Sequence, residues 1–221
     1  MSETKKFKIV ILSDSSSWIN STVEALASHW KEFGHEVFLS HDLQQLPAAD
    51  FCFCLSFSRI VKKEIRGRFD HTLVVHASDL PAGKGWSPLS WQILEGKNQI
   101  IVSLFEADDI VDSGPIYAQR YIDFEGYELI DGLRKKLADI TSELCSWFIS
   151  EYPRSSNRPK IQKGTPSFYS RRSPNDSQLD VGKTIAEQFN LLRIVDNQAY
   201  PAFFEWKGRR FVLTIRDDGC V

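Results

Sequence analysis

"VVHASDLPAGKGWSP", residues 74–88, runs from an apolar stretch into a loop and hands over on a histidine. Val74 and Val75 are β-branched and suit a buried strand, whereas the prolines and glycines after them cannot continue one. His76 is thus delivered at a strand end. Gly83 and Gly85 flank Lys84, which lets backbone and ammonium come close to a ligand. Ser87-Pro88 then opens a helix, since proline fits a first turn where its missing N–H costs nothing. A histidine at a strand end is most often a hydrogen-bonded structural group, so its surroundings decide whether this one does chemistry.

Upstream, "FKIVILS" (7–13), "HEVFLS" (35–40) and "DFCFCLSF" (50–57) are short apolar runs that read as strands. "HTLVVHA" (71–77) and "NQIIVSLFEA" (98–107) make a fourth and a fifth. Ile19, Val23, Leu26, Trp30 and Phe33 recur every three or four residues, which is one helical face, and Gly34 ends it. A polar, basic helix is expected over 58–68. Strands alternating with helices predict an α/β fold, a mostly parallel twisted Rossmann-like sheet with flanking helices. Ligands of such sheets bind at the carboxyl ends of the strands. Ser13–Trp18, Leu55–Arg59, His76–Trp86 and Phe105–Gly114 are therefore expected along one rim.

A long helix comes next, with Leu129, Leu133, Leu137, Ile140, Leu144 and Phe148 on one stripe, ending before Pro153. "PRSSNRPKIQKGTP" (153–166) has no periodicity and reads as a linker between a domain over 1–152 and a C-terminal region over 167–221. That region is expected to hold a helix near 181–195 and a hairpin, "AFFEW", turn "KG", then "RRFVLTI". Its apolar residues Phe203, Phe204, Trp206 and Phe211 either cap the domain or form a homodimer face.

With 42% hydrophobic residues the chain can build a real core, and a net charge of −2 gives no broad electrostatic footprint for nucleic acid. Cys52 and Cys54 alternate on one face of a strand, and neither they nor Cys145 and Cys220 have metal-ligand spacing, so buried thiols and no metal site are expected. No apolar run is long enough for a membrane span or the core of a signal peptide, which points to a cytoplasmic protein.

"LFEADDIVDSGPIY" (104–117) carries Glu106, Asp108, Asp109 and Asp112. A run of carboxylates is commonly a solvated loop. Asp112 differs, because "DSGPIY" returns directly to an apolar segment, where a carboxylate can orient or deprotonate a neighbour. "SDSSSW" (13–18) joins a strand to a helix: the amides and hydroxyls of Ser13, Ser15 and Ser16 suit a pyrophosphate, or simply cap the helix. Trp18 suits a base or the core, and Lys84 suits a phosphate.

The stretch from Val74 to Tyr117 resembles the catalytic core of the N10-formyltetrahydrofolate-dependent formyltransferases. These share an Asn-x-His-x-Ser-x-Leu-Pro segment, a Gly-x-Gly loop, a Pro then Trp-x-Ile helix and an Asp-x-Gly return. The segment from Ser167 to Gly208 is similar to the region C-terminal to the catalytic domain in sugar nucleotide formyltransferases, nearest in look to those acting on UDP-linked 4-amino-4,6-dideoxy sugars for surface glycans. The resemblance implies N10-formyltetrahydrofolate as donor and a nucleotide-linked amino sugar as acceptor, with His76 stabilising the oxyanion and Asp112 orienting it and accepting the amine proton. It places the folate along Leu104, Phe105, Glu106, Ala107 and Asp109, with Leu55 and Phe57 as the other wall. Ser78, Lys84, Gly85, Arg171, Arg172, Asn175 and Tyr200 are the further candidates for the sugar nucleotide.

One position departs from the pattern. Where the family has asparagine, two residues before the histidine, this chain has Val74, which donates no hydrogen bond. Asn98 is the first candidate to replace it, ahead of Gln92 and Ser78. An unreplaced donor keeps two other readings open: an impaired module that binds folate or sugar nucleotide, and a formyltetrahydrofolate hydrolase.

Overall fold

The structure is a computed structural model and describes residues 5–219. In chain order it has β1 (Lys8–Leu12), α1 (Asn20–Glu32), β2 (Glu36–Ser40), β3 (Ala49–Cys54), α2 (Lys63–Arg66), β4 (Phe69–His76) and β5 (Lys84–Gly85). Then come α3 (Pro88–Leu94), β6 (Gln99–Glu106), β7 (Ile116–Asp123), α4 (Ile130–Ser150) and β8 (Phe168–Tyr169). The chain closes with α5 (Phe189–Ile194), β9 (Ala202–Trp206) and β10 (Arg209–Leu213).

The central sheet has the order β2-β1-β3-β4-β6-β7. β1 to β4 pair in parallel, which demands crossovers, and α1 and α2 lie in two of them. The fold is α/β with a mostly parallel sheet, as expected. β6 runs antiparallel to β4, and β7, at the sheet edge, runs antiparallel to β6.

Both faces of the inner parallel strands β1 and β3 are buried, so those strands read as continuous apolar runs rather than alternating ones. On one face Ile9, Ile11, Phe51, Phe53 and Leu73 pack with Val23, Leu26 and Trp30 of α1 and with Leu133, Leu144 and Phe148 of α4. Complete burial of one such side chain is worth about 1.5–3 kcal/mol. The other face, with Val10, Leu12, Cys52 and Cys54, is covered by Leu46, Val61 and Phe69 from loops and strand ends. Without a long helix on that side, the end of β4 stays reachable: Val74 is half-buried and shares this face with His76.

Two helices are shorter than their patterns suggest. Instead of 58–68, only Lys63–Arg66 is helical. The Ser58 amide is drawn off to the Asp14 carboxylate at 3.0 Å, Arg66 turns back to the Val61 carbonyl at 2.8 Å, and Lys62 is extended. Within 181–195 the α-helix is confined to Phe189–Ile194. The Gln188 amide takes the Asp180 N–H and reaches the carbonyls of Lys183 and Thr184, so side chain–backbone bonds replace the first helical turns. The hairpin forms as read, turning at Lys207 and Gly208, both with positive φ.

Cys52, Cys54 and Cys145 are free and buried, and Cys220 lies outside the described residues. No helix among the described residues is long and apolar enough to cross a membrane, and none of their His, Cys, Asp and Glu side chains form a group of three able to hold a metal ion.

Candidate active site

His76 is the last residue of β4, and its ring is buried. Nε2 stands 2.8 Å from the Gly83 carbonyl, which can only accept, so Nε2 carries the proton. In the neutral ring Nδ1 is then the unprotonated nitrogen. Asp112 Oδ2 lies 3.9 Å from the same Nε2 and accepts the Gly85 N–H at 2.8 Å. Imidazole, carboxylate and the Gly83–Gly85 backbone therefore converge on one spot.

The route by which Asp112 arrives differs from the expected one. Because β6 is antiparallel to β4, its carboxyl end points away from the His76 rim: Glu106 stands opposite Leu73, while His76 faces Ser103. The chain leaves the sheet at Ala107, whose N–H bonds the Thr72 carbonyl at 2.7 Å, and runs back along β4 to His76. Gly114 closes this excursion directly against Glu106; a Cβ there would sit 1.8 Å from the Glu106 carbonyl oxygen. Only glycine fits, which explains the Asp-Ser-Gly return. Asp112 itself is held at φ +50, a left-handed conformation that aspartate tolerates better than most residues and that is characteristic of built sites.

Lys84 is buried and its Nζ donates to Ser113 Oγ at 2.6 Å. Ser113 and Gly85 thus tie the acidic loop to the glycine loop. Gly85 is another position closed to side chains, since a Cβ would stand 2.5 Å from the Tyr169 carbonyl oxygen. Trp86 is partly exposed beside them, with the Arg171 guanidinium stacked 4.8 Å above its ring.

Several candidates are held elsewhere. Asn98 does not meet His76. It precedes β6, whose first residues overshoot the end of β4, and five residues from Ser103 along a strand is about 17 Å. Its Oδ1 accepts from Arg193 Nη1 at 2.8 Å instead. Gln92 Nε2 is committed to the carbonyls of Ala77 and Pro88. Ser78 is buried against Gly83, and its Oγ has no hydrogen-bond partner. Neither Asn98 nor Gln92 therefore takes over at Val74, which packs on Leu80, Phe105 and Ile116.

Among the expected folate residues, Leu55, Leu104 and Phe105 are buried, whereas Asp109 is exposed. Leu55 and Leu104 are in the core under α1 and α4, and Phe105 is buried beside Val74. Glu106 points to the α4 side: its carboxylate takes the Thr72 N–H and the Tyr117 hydroxyl, the latter at 2.7 Å, and lies 2.9 Å from His71 Nδ1. Burial first, and this carboxylate second, push the Tyr117 hydroxyl far above its ordinary pKa. Asp109 pairs with Arg66, whose hydrogen bond lowers the carboxyl's pKa. The backbone N–H of Ala107 is spent on Thr72, and Phe57 lies beneath Arg59. Sequence reading passes over Ile110 and Val111, apolar and exposed in the loop that carries Asp112; an apolar pair inside an acidic run is the signal that could find them.

Among the sugar-nucleotide candidates, Ser13 sits on the rim with its Oγ bonded to Asn20 Oδ1 at 2.8 Å, and Ser15 and Ser16 are exposed next to it. Trp18 packs on the core with Arg134 over its ring. Arg172 is turned inward to the Ile194 and Asp176 carbonyls and to Ser177 Oγ, and burial lowers its pKa. Tyr200 bridges Asp196 through its backbone, and its carbonyl accepts from Ser177; Asn175 lies in the turn before Ser177. Arg171 alone of this C-terminal group stacks on the glycine loop.

Comparison with known proteins agrees with this architecture. The chain is 26% identical over 145 residues to the methionyl-tRNA formyltransferase of Thermodesulfovibrio yellowstonii, covering 65% of this chain and 47% of that one. It spans about half the length of the curated relatives it matches. A sugar N-formyltransferase from Shewanella superposes with a TM-score of 0.69 at 12% identity, over 97% of this chain and 99% of that one. HypX from Aquifex aeolicus in complex with tetrahydrofolic acid superposes at 0.72 and 17% identity, over 93% of this chain and 37% of that one. The formyl transferase family model matches residues 32–147, just over half of the chain. With the histidine, the glycine loop and the Asp-Ser-Gly return meeting inside that span, this chain belongs to the formyl transferase family.

Proposed function

We propose that the chain transfers a formyl group from N10-formyltetrahydrofolate to the amine of a nucleotide-linked amino sugar. The observation that carries the reading is the approach of Asp112 to the Nε2 nitrogen of a buried His76, at the open end of β4. The donor supplies an activated formyl carbon. The exposed Ile110 and Val111 beside Asp112 fit a flat, largely apolar ligand such as a pterin. His76 Nε2–H is released from Gly83 and donates to the developing negative charge on the formyl oxygen. Asp112 accepts the proton that the attacking amine sheds as its bond to the formyl carbon forms, and that proton passes to N10 as the formyl carbon–N10 bond breaks, leaving the formamide and tetrahydrofolate. Lys84 and the exposed Ser15 and Ser16 suit the acceptor's phosphates. The net charge of −2 favours a small acceptor over an RNA.

The apolar neighbourhood of Val74 favours a second reading, a slow or silent member that binds without efficient turnover. One missing oxyanion donor costs about 3–4 kcal/mol elsewhere. Purified protein with the formyl donor should be assayed against UDP-, dTDP- and GDP-linked 4-amino sugars and against aminoacyl-tRNA. Formylation of a sugar nucleotide is expected, with Val74→Asn raising the rate by about 10–100-fold, a part of that missing donor's worth. Formylation of the tRNA alone would move the chain to the other branch. Donor binding with no acceptor turned over, in the native chain and in Val74→Asn, would leave the silent reading.

A further inference from the structure

The stretch after α4 has the composition of a linker, yet between residues 160 and 170 it touches both arms of the site. Lys160 and Ile116 exchange backbone hydrogen bonds, Ile116 N–H to the Lys160 carbonyl at 2.8 Å and the reverse at 2.7 Å. Two residues on, Gln162 Nε2 donates to the carbonyls of Asp112 and Gly114, each at 2.9 Å. That grips the acidic return on both sides of Ser113. The same strand then crosses to the glycine loop. Ser167 Oγ accepts the Gly83 N–H at 2.8 Å, and its carbonyl accepts the Lys84 N–H at 2.9 Å. β8 pairs in parallel with β5, Lys84 opposite Phe168 and Gly85 opposite Tyr169. The Tyr169 carbonyl accepts the Trp86 N–H at 3.1 Å.

Tyr169 secures the outer end of this strap. Its hydroxyl donates to Glu95 Oε1 at 2.8 Å, its ring lies nearly parallel to Trp91, and Trp91 Nε1 bonds the Ser170 carbonyl. Burial and the Glu95 carboxylate together raise the tyrosine's pKa, so the hydroxyl stays a donor across the working range. One continuous segment is therefore fixed to α3 at one end and to β7 at the other. Between those anchors it holds the carbonyl that binds His76 and the backbone of Asp112.

Resting on the proposed formyl-transfer reading, we infer that Gln162 and Ser167 are positioning residues that set the spacing of His76 and Asp112. Neither touches the imidazole or the carboxylate oxygens. Ser167 acts through Gly83, whose carbonyl fixes the His76 tautomer; Gln162 acts through the main chain of Asp112, which is held at its positive φ. The two holds are uncharged side chains bonded to backbone groups, so their effect falls on geometry rather than on charge. A misplacement of about 1 Å at reacting groups can cost about 100-fold in rate, so loosening either hold should be visible in turnover.

The test uses the full chain with Ser167→Ala, Ser167→Thr and Gln162→Leu. Ser167 is exposed, so its loss of a hydroxyl leaves the core untouched. Long-range 1H–15N correlation reads the tautomer of His76, with its signals assigned by comparison with His76→Gln. In the native chain the Nε2–H form is expected. Ser167→Ala and Gln162→Leu should shift the His76 ring signals, and Ser167→Thr, which keeps the oxygen, should restore them. With whichever acceptor is turned over, kcat should fall by about 10–100-fold while KM for the formyl donor changes by less than about 3-fold. Unchanged ring signals in both variants overturn the inference, as does a drop in melting temperature with the His76 spectrum intact. Because the ring signals are read without substrate, a failure of the formyl-transfer reading leaves this outcome separately legible.

Discussion

Two clusters of charged and polar side chains in this chain obey opposite rules. At the foot of α4, Arg193 is fully buried with nearly every donor met: Nη1 reaches Asn98 and Asn190, Nε the Glu128 carbonyl, and Nη2 the Glu128 carboxylate at 3.5 Å. Glu128 in turn accepts from Lys136 and from the N–H groups of Glu125 and Gly126. At the rim, His76 and Asp112 stand 3.9 Å apart, closer to backbone partners than to each other, and Ser78 keeps a buried hydroxyl without a partner. The first cluster is finished, and a finished polar network fixes one structure. The second holds its groups near, but not in, their strongest mutual contact. Such slack is what a group needs if it is to exchange a backbone partner for a substrate.

The sharpest way to break the contrast is at the rim. His76→Asn should lower formyl transfer by about 100–10,000-fold, the span of a lost acid–base group, while thermal stability changes little. The check is a rate assay beside a melting curve. Normal turnover in that variant would return His76 to the structural class and leave the chain with a single kind of polar cluster.

The Arg193–Glu128 cluster should fail in the opposite manner, in stability and with a pH signature. Burial alone would raise the Glu128 carboxyl, but the Lys136 ammonium and the backbone N–H donors outweigh it and bring the pKa down to about 2. A depressed carboxyl contributes stability that is present above its unfolded value, near 4.5, and is lost as pH falls through about 2. The depression corresponds to about 3 kcal/mol at neutral pH. Glu128→Gln should therefore be destabilised by about that amount at pH 7, and the gap to the native chain should close between pH 4.5 and 2. Denaturant melts across that range decide it; a gap independent of pH would mean that packing, not charge, holds α5 to α4.

The legible and the hidden parts of this fold divide on the same physics. Strands and the two long helices are written in side-chain periodicity, and so are visible in the sequence. Strand direction is not: "NQIIVSLFEA" reads the same whether it runs with β4 or against it. From that single reversal come the misplaced Asn98 and the expectation that Phe105 and Glu106 open onto the His76 rim. The Asp-Ser-Gly return survives because its glycine answers a local collision with Glu106 that no strand direction removes. The β5–β8 pairing is out of reach for another reason. Two-residue strands leave no period, and the Ser- and Pro-rich composition before β8 carries only the signal of an unstructured connection.

Asn98 offers the smallest effect and the finest discrimination, because it is the sequence's first choice for the rim and belongs to the Arg193–Glu128 cluster. Asn98→Ala removes one hydrogen bond to Arg193 at a partly open edge, which should cost about 1 kcal/mol of stability. Turnover at a temperature well below the melt should be unchanged, since the side chain stands about 17 Å along the sheet from His76. Rate and melting midpoint measured on one preparation separate the two assignments. A large fall in kcat without loss of stability would mean that β6 slides relative to β4 during turnover and carries the amide to the rim. An unchanged kcat with a lower midpoint takes Asn98 out of the rim chemistry, which is why Val74→Asn is the more informative repair.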